Sequence, residues 1–317
     1  MSWPKAASTG GWKEAAAARL VGAERCISQS AQLRGFDALR AGAIGQKECA
    51  TKTRGVCEMT VLDQFRLDGK CILVTGGSRG FGRAIALAAA DAGADVMLVA
   101  RDPDALARTA NEVRQRGRKA WTFPADIAEP TACEDLCRRV LAEGPPIDIL
   151  VNNVGGRNID IAIEDSDLAT WQRFIDLNLT HCFVCTKMIG GAMLARGEGR
   201  VINIASISGM IANRGIGGRH YETAKAALIH FTRATAADWA PRGVTVNAIC
   251  PGLFMTEPNQ EWAKKNPQVI ETFVRAIPMG RAGDPQEIGP LAVYLASPAS
   301  SYVTGAAFVI DGGYTLW

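Results

Sequence analysis

Seven short apolar runs, spread over residues 71–310, constrain the fold of this chain more than any other feature. Each run has the length of a β-strand, and the segments between runs carry helical patterns, for example Phe81–Ala92 and Pro103–Gln115. Because the runs lack polar alternation, they predict strands buried on both faces. Strands that alternate with helices predict an α/β domain with a doubly wound, seven-stranded parallel sheet. The predicted strands are Cys71–Thr75, Val96–Ala100, Ala120–Phe123, Ile147–Val151, Val201–Ala205, Thr245–Ile249 and Ala306–Ile310.

Composition and charge narrow the classes of partner. Of 317 residues, 48% are apolar and 21% charged, as in ordinary globular proteins, and the formal net charge is only +3. So small a charge predicts neither a nucleic-acid nor a membrane partner. The uncharged stretch Ile288–Ile310 is long enough to span a bilayer. However, Pro290, Pro298 and Gly305 interrupt it, which favours a helix followed by a buried strand.

Residues 1–58 differ from the rest of the chain, and we interpret them as an N-terminal extension to a single domain over residues 59–317. They are rich in Ala, Gly, Arg, Lys and Ser and carry no strand pattern, so we expect poor order, with a helical stretch near Trp12–Val21. Five acidic residues argue against a transit peptide, because such peptides are poor in acids. A natural start at Met59 stays open as the alternative to a genuine extension.

Nine cysteines are spread along the chain without a repeating frame. Only Cys133/Cys137 and Cys182/Cys185 are close in sequence, and His181 adjoins the second pair, which weakly suggests a metal site. A second ligand pair at zinc-site spacing is missing, so we expect no metal. Free thiols are typical of a reducing cytoplasm, which is therefore the expected location.

A glycine-rich loop joins the first predicted strand to the first helix. It reads Thr75-Gly76-Gly77-Ser78-Arg79-Gly80-Phe81-Gly82. Glycines allow a tight turn, close approach of the backbone to a pyrophosphate, and close packing of helix on strand. The phosphates would meet the positive end of the helix dipole. Between a strand and a helix, this loop predicts the dinucleotide site of a Rossmann-type domain, made by Gly76, Ser78, Arg79, Gly80, Phe81 and Gly82.

The end of the second predicted strand bears on the choice of dinucleotide. A domain that prefers NAD places an acidic side chain there, which accepts hydrogen bonds from the ribose hydroxyls. This strand ends instead in Arg101, whose planar guanidinium matches the oxygens of a 2′-phosphate. Arg79 would add a second positive charge. We therefore predict NADP(H) as the preferred cofactor, while Asp102 keeps NAD(H) open as the alternative.

Tyr221 and Lys225 lie at the start of an apolar helical stretch that runs to Trp239. Residues four apart share one helix face, so the phenol and the ammonium group point the same way. A free phenol is a poor base at neutral pH, and a fixed positive charge nearby stabilises the phenolate. The pair can then exchange a proton with an alcohol or carbonyl oxygen. The pattern is common by chance, so its context decides.

Several motifs occur in the order typical of the classical short-chain dehydrogenase/reductase family, and residues from about 65 to 317 resemble that family. The motifs are Thr75-Gly76-x-x-x-Gly80-x-Gly82, Asp126-Ile127, Asn152-Asn153-Val154-Gly155, Asn178, Ser206, Tyr221-x-x-x-Lys225, Pro251-Gly252-Leu253-Phe254-Met255-Thr256 and Asp311-Gly312-Gly313. The resemblance implies an enzyme that interconverts a secondary alcohol and a ketone. Val154 stands where the family usually has alanine, which concerns packing more than chemistry.

The resemblance also implies catalytic roles. Tyr221 would be the general acid/base, and Lys225 would support its phenolate and bind the nicotinamide ribose. Ser206, preferred over its rival Ser208, would hydrogen-bond the substrate oxygen. Asn178 would hold a water that links Lys225 to solvent.

Contacts with the rest of the cofactor follow from the same resemblance. Asp126 and Ile127 would lie at the adenine, and Asn153 beneath the cofactor. Pro251, Gly252 and Thr256 would hold the nicotinamide end. Classical members usually bury their central helices in a tetramer, and apolar residues such as Phe183, Met188 and Met193 suit that contact, so the resemblance implies a homotetramer.

The segment between Ser206 and Tyr221 must border the active site, and it is unusually basic. Arg214, Arg219 and His220 suit a carboxylate or a polyhydroxylated substrate, unless they face solvent or a neighbouring subunit. Trp262, in a predicted lid over residues 254–278, can stack on a sugar ring.

The overall pattern is similar to gluconate 5-dehydrogenase-like members, which implies a sugar acid or polyol. A 3-oxoacyl thioester, as in the acyl-carrier-protein reductases of the family, is the alternative substrate. A non-catalytic NADP(H)-binding regulator is the alternative from another class, because a fold does not dictate function. It is disfavoured because all four catalytic positions are filled. An epimerase or dehydratase would need a larger C-terminal domain than the residues after Lys225 provide.

Overall fold

The fold is built on a fully parallel, seven-stranded sheet, seen in a computed structural model that describes residues 60–157, 161–213 and 217–316. The strand order is β3-β2-β1-β4-β5-β6-β7. The order reverses between β1 and β4, and ligands of such sheets bind beyond the carboxyl ends of the strands at this point. The strands are β1 (Cys71–Thr75), β2 (Asp95–Ala100), β3 (Ala120–Pro124), β4 (Ile149–Asn152), β5 (Gly199–Ile204), β6 (Val244–Pro251) and β7 (Ala307–Ile310).

Helices connect the strands and cover both faces of the sheet. They are α1 (Gly80–Asp91), α2 (Pro103–Gln115), α3 (Pro130–Glu143), α4 (Leu168–Ile175), α5 (His181–Cys185), α6 (Gly191–Arg196), α7 (Arg219–Trp239), α8 (Glu257–Lys265), α9 (Pro267–Ala276) and α10 (Ile288–Ala296). The segments Asp176–Thr180 and Thr186–Gly190 are π-helical, so α4, α5 and α6 form one continuous helical run. Short 3₁₀ turns occupy Leu62–Phe65, Ile163–Asp165, Ile207–Gly209, Ala240–Arg242, Pro285–Glu287 and Pro298–Ser300.

Two apolar layers hold the sheet between its helices. On one face, residues of α1, α2 and α10 such as Ile85, Leu106 and Leu295 pack on the sheet. On the other face, α3 and the run from α5 to α6 contribute residues such as Leu136 and Met193. The predicted doubly wound α/β fold with seven parallel strands is confirmed.

Hydrogen bonding between neighbouring strands moves several predicted strand ends. The prediction began the fourth strand at Ile147, but β4 begins at Ile149. Asp148 makes a different link there: its backbone N–H donates to the Cys71 carbonyl, and its carboxylate accepts from the Cys71 N–H at 2.9 Å. β6 extends past its predicted end to Pro251, because Pro251 still pairs with Ile310 of β7.

The prediction that every strand is buried on both faces is wrong for the two edge strands. β1 and β4 are buried throughout, whereas β3 and β7 are mostly half-buried or exposed. Their places at the ends of the strand order explain the difference, because an edge strand has a neighbour on one side only.

The uncharged stretch from Ile288 forms helix α10, a 3₁₀ turn and strand β7, so the predicted helix and strand are present, but the strand is not buried as predicted. Within the residues that the structure describes, no helix combines the length and apolarity needed to cross a bilayer. The predictions for residues 1–58, and the start at Met59, lie outside the described residues.

Candidate active site

The glycine loop between β1 and α1 has the close contacts that its sequence predicts. A Cβ atom on Gly82 would lie 2.1 Å from the carbonyl oxygen of Gly76, so only glycine fits. Gly76 and Gly80 have φ angles of 67° and 54°, which side chains rarely adopt. The Asn153 side-chain amide donates to the Thr75 carbonyl at 2.9 Å and to the Gly76 carbonyl at 3.3 Å. Asn153 therefore clamps this loop from the end of β4.

An anionic group already occupies the N-terminus of helix α1. The backbone N–H of Gly80 donates to the Glu257 carboxylate at 2.9 Å. Helix N-termini bind anions because their first N–H groups are unpaired and the dipole favours negative charge. The carboxylate thus stands where the phosphates of a dinucleotide would lie, and the loop fits that group.

The ribose end of the proposed cofactor site is set by Arg101 and Asp102. Arg101 is exposed at the end of β2, and its Nη1 lies 3.6 Å from Oδ2 of Asp126. Asp102 caps helix α2, where its carboxylate accepts from the N–H groups of Asp104 and Ala105 at 3.0 and 3.1 Å. Asp102, the residue that left NAD(H) as an alternative cofactor, therefore caps the helix.

The remaining residues predicted for this part of the cofactor site are Ile127, Arg79 and Ser78. Ile127 is buried, and Arg79 is exposed at the start of α1. Ser78 is half-buried, and its carbonyl accepts from the Thr109 hydroxyl at 3.4 Å.

Tyr221 and Lys225 lie in the first turns of helix α7, beside the carboxyl end of β5. The Lys225 Nζ donates to the Ile204 carbonyl at 2.8 Å and lies 5.8 Å from the centroid of the Tyr221 ring. Lys225 is only 3% exposed, so its charge acts in a partly desolvated site. Ser206 follows β5, and its hydroxyl accepts from the Ser208 N–H at 3.1 Å.

Asn178 lies at the same site and pins the loop after β4. Its Oδ1 accepts from the Gly156 N–H at 2.9 Å, and its Nδ2 donates to the carbonyls of Gly156 and Phe174. A Cβ atom on Gly155 would lie 2.7 Å from this Oδ1 and 3.1 Å from Lys225 Nζ, so the three residues are adjacent. Asn178 belongs to a π-helical segment, a feature often found at functional sites.

The chain after β6 closes over the glycine loop. Gly252 donates its N–H to the Ile310 carbonyl, and a Cβ atom there would meet Asp311 at 2.7 Å. The Thr256 side chain is buried and faces Gly80, and Phe254 packs edge-on against Phe81 with ring centroids 5.0 Å apart. The predicted lid that follows consists of helices α8 and α9.

The predicted substrate residues occupy different places. Arg214 lies outside the described residues. Arg219 forms an ion pair with Glu222. His220 is fully buried, where its Nε2 hydrogen-bonds the Ser166 hydroxyl at 2.6 Å and its ring stacks on Phe174. Trp262 is 37% exposed on α8.

Sequence reasoning missed a polar cluster around Glu222. This buried carboxylate accepts from Arg157, Arg219 and Asn213. Burial acts to raise the pKa of Glu222, but the hydrogen bonds from Arg219, Asn213 and Arg157 outweigh burial and lower it. The available signals were the position of Arg157 directly after the Asn-Asn-Val-Gly-Gly motif and that of Glu222 directly after Tyr221.

The suggested metal group of His181, Cys182 and Cys185 is not the cluster that the fold forms. Cys185 lies instead with Cys133 and Cys137, at Sγ–Sγ distances of 3.6 and 3.9 Å, and all three are buried. Hydrogen bonds from Cys137 and Cys185 lower the pKa of Cys133. His181 is fully buried, which lowers its pKa to about 4, and its Nε2 contacts the Val154 carbonyl at 3.0 Å.

Comparison with curated proteins gives close relatives over the domain. The chain is 42% identical over 253 residues to galactitol 2-dehydrogenase (L-tagatose-forming) of Cereibacter sphaeroides. This match covers 80% of this chain and 98% of the relative. The chain is 40% identical over 255 residues to 2-dehydro-3-deoxy-D-gluconate 5-dehydrogenase of Bacillus subtilis, with coverages of 80% and 97%. It is 38% identical over 253 residues to 3-oxoacyl-[acyl-carrier-protein] reductase of a Synechocystis strain, with coverages of 79% and 99%.

Solved structures and a family model agree with these relatives. A short-chain type dehydrogenase/reductase from Mycobacterium marinum superposes with a TM-score of 0.75 at 40% identity, over 81% of this chain and 99% of that one. A gluconate 5-dehydrogenase from Burkholderia cenocepacia, in complex with NADP and tartrate, gives 0.76 at 32% identity, over 81% and 100%. The family model described as enoyl-(acyl carrier protein) reductase matches residues 76–315. With these matches and this site, the chain belongs to the short-chain dehydrogenase/reductase family, whose members are oxidoreductases acting on alcohols and ketones.

Proposed function

We propose that this chain is an NADP(H)-dependent oxidoreductase that interconverts a secondary alcohol and a ketone, with Tyr221 as the general acid/base. The observation that carries the proposal is the placement of Lys225 at the end of β5, with the Tyr221 ring on one side and with Gly155 and Asn178 on the other. The buried Lys225 ammonium group lies beside the Tyr221 ring, and a positioned phenol can exchange a proton with an alcohol or carbonyl oxygen.

The proposed catalytic residues have different parts in the reaction. Tyr221 would remove the hydroxyl proton during oxidation and return it to the carbonyl oxygen during reduction. Ser206 would hydrogen-bond that oxygen, and Asn178 would hold a water that links Lys225 to solvent. Nicotinamide, when bound, supplies or accepts the hydride. The chain itself positions the substrate oxygen and moves the proton.

The NADP(H) preference rests on Arg101. Its contact with Asp126 joins two exposed groups and is therefore weak, so the guanidinium stays available to a 2′-phosphate. The relative in complex with NADP supports this choice. We expect Arg101→Gln to lower kcat/KM with NADP+ and to leave that with NAD+ nearly unchanged. Arg108→Gln, which alters another exposed arginine on α2, is the matched control. The preference is overturned if the unmodified chain has a higher kcat/KM with NAD+ than with NADP+.

The proposed substrate is a sugar acid or a polyol. The relatives named for galactitol and for 2-dehydro-3-deoxy-D-gluconate support it, as does the basic chain segment before Tyr221. Binding roles for Arg214, Arg219 and Trp262 are part of this proposal, whereas the fully buried His220 hydrogen-bonds Ser166 and is left out of it. The second candidate is a 3-oxoacyl thioester, which the Synechocystis relative supports.

A cofactor-coupled absorbance assay separates these candidates. The panel contains galactitol, gluconate, keto-gluconates and an acetoacetyl thioester, each with both nicotinamide cofactors. We expect the highest kcat/KM with one of the hydroxylated compounds. If the thioester gives the highest value, the second candidate replaces the sugar acid or polyol. No turnover across the panel, despite NADP(H) binding, would favour the non-catalytic regulator.

A homotetramer without membrane or nucleic-acid partners, located in the cytoplasm, completes the proposal. Phe183 on α5 is 49% exposed and packs edge-on against Phe231 of α7, with ring centroids 6.4 Å apart. Met193, which the sequence also suggested for this contact, is fully buried in the core, so Phe183 carries the proposed contact. Light scattering should give a mass of four chains, and the mass of one chain would refute the tetramer.

A further inference from the structure

One arginine side chain connects three segments that border Tyr221. Arg157 follows β4, and its guanidinium carbon lies 5.1 Å from the centroid of the Tyr221 ring. Its Nη1 donates to the Gly217 carbonyl at 2.5 Å, and its Nη2 donates to the Ser208 hydroxyl at 3.2 Å. The loop after β4, the turn after β5 and the chain before α7 are thus joined at one guanidinium.

A buried carboxylate holds this arginine in place. Glu222 Oε1 accepts from Arg157 Nη2 at 3.3 Å, and from the N–H and side-chain amide of Asn213 at 3.2 and 3.0 Å. Its second oxygen pairs with Arg219. Because Glu222 is only 8% exposed, the loss of one cationic partner would leave a poorly compensated buried charge.

We propose that Arg157, anchored by Glu222, is a positioning residue of the reaction. It fixes the ring of Tyr221 and the chain that borders the substrate, through Ser208 and Gly217. This inference rests on the proposed role of Tyr221 as the acid/base. It adds Arg157 and Glu222 to the proposed active site, beside the four predicted catalytic residues.

The chemistry of the side chain explains why arginine suits this position. Its planar fork presents several N–H groups in fixed directions, and its flat face stacks on an aromatic ring. A lysine ammonium keeps the charge, but it cannot donate along the same directions to a carbonyl, a hydroxyl and a carboxylate while it stacks on the ring. Lysine should therefore restore only part of the function.

The test compares Arg157→Gln and Arg157→Lys with the unmodified chain, using the best substrate of the panel. Rates are expressed per active site, which is counted by the stoichiometry of NADP+ binding. We expect Arg157→Gln to lower kcat/KM for the substrate by about 10²-fold, because small displacements of a reacting group have effects of that size. Arg157→Lys should fall in between, and the KM for NADP+ should not change. Arg138→Gln, which removes an exposed arginine paired with Glu134 and Asp135, is the matched control.

A double-mutant cycle tests the role of Glu222. If Glu222 acts through Arg157, the Arg157→Gln/Glu222→Gln double variant should be no slower than Arg157→Gln alone. Additive losses would refute the anchoring role. The proposal is overturned if both Arg157 variants keep the rate per active site of the unmodified chain. If Arg157→Gln fails to bind NADP+, the rate of Arg157→Lys alone decides. Failure of the proposed function is distinguished by Tyr221→Phe, which would then keep its turnover.

Discussion

The phenol oxygen of Tyr221 is the atom on which the proposed chemistry depends, and its removal is the most direct test at the residue scale. We expect Tyr221→Phe to reduce turnover by at least about 10²-fold, the usual contribution of a positioned acid/base. NADP+ binding should be unchanged, because the glycine loop does not involve this oxygen. Tyr302→Phe, at a fully exposed tyrosine, is the matched control. Near-normal turnover of Tyr221→Phe would contradict the mechanism.

His181 links the stability of the chain to pH. Burial lowers its pKa from 6.5 to about 4, so the unfolded chain takes up a proton at a higher pH than the folded chain. This contribution to stability is complete above the unfolded pKa and is lost as the pH falls toward 4. Between pH 6.5 and about pH 5 the loss should amount to about 2 kcal/mol.

Urea unfolding of the unmodified chain and of His181→Gln, at both pH values, measures this loss. Carboxylates also titrate in this range, so the difference between the two proteins carries the information. The free energy of unfolding should fall less steeply with pH in the variant. Parallel falls would show that His181 does not contribute.

At the scale of secondary-structure elements, the contact between the glycine loop and helix α8 has a measurable effect. The Glu257 carboxylate occupies the Gly80 N–H, which the phosphates of NADP(H) would also use. We expect Glu257→Gln to tighten NADP+ binding by about three- to tenfold, because it removes a competing negative charge at a helix N-terminus. Fluorescence titration of NADP(H) measures the change. Glu261→Gln, one turn further along α8, should have no effect, and equal effects of both variants would point to general electrostatics.

Elements with a local cause were predictable from the sequence. Helix α2 begins and ends at the predicted residues, because Asp102 and Pro103 are typical of a helix start. The π-helical segments around Asn178 were not predictable, since they depend on hydrogen-bond shifts that composition does not encode. The exposure of β7 was also missed, because its place at the sheet edge is a property of the whole topology.

At the scale of the whole molecule, the site combines residues that are far apart in sequence. Motifs predicted Tyr221, Lys225 and the glycine loop as site residues, because each pattern has a spacing that lies within one element or one turn. The contact of Arg157 with Glu222 joins residues 65 positions apart, and only the packed fold brings them together. Resemblance to a family does not reveal such a contact.

The strands and the proposed active site all lie within residues 71–310, so the domain should be independent of residues 1–58. We expect a chain that begins at Met59 to fold, to bind NADP(H) and to keep the kcat/KM of the full-length chain. Circular dichroism and the cofactor-coupled assay measure these properties side by side. A shortened chain that folds but loses turnover would assign the extension a part in catalysis.

The cap that Asp102 places on helix α2 sets a limit on cofactor engineering. Removal of the Arg101 guanidinium would weaken the proposed NADP(H) binding without creating a partner for the ribose hydroxyls of NAD(H), since the Asp102 carboxylate is already bonded to two backbone N–H groups. Diverting Asp102 to the ribose would uncap the helix, at a cost of about 1 kcal/mol. A redesign toward NAD(H) therefore has to introduce a new acid, and Arg101→Asp leaves the cap intact.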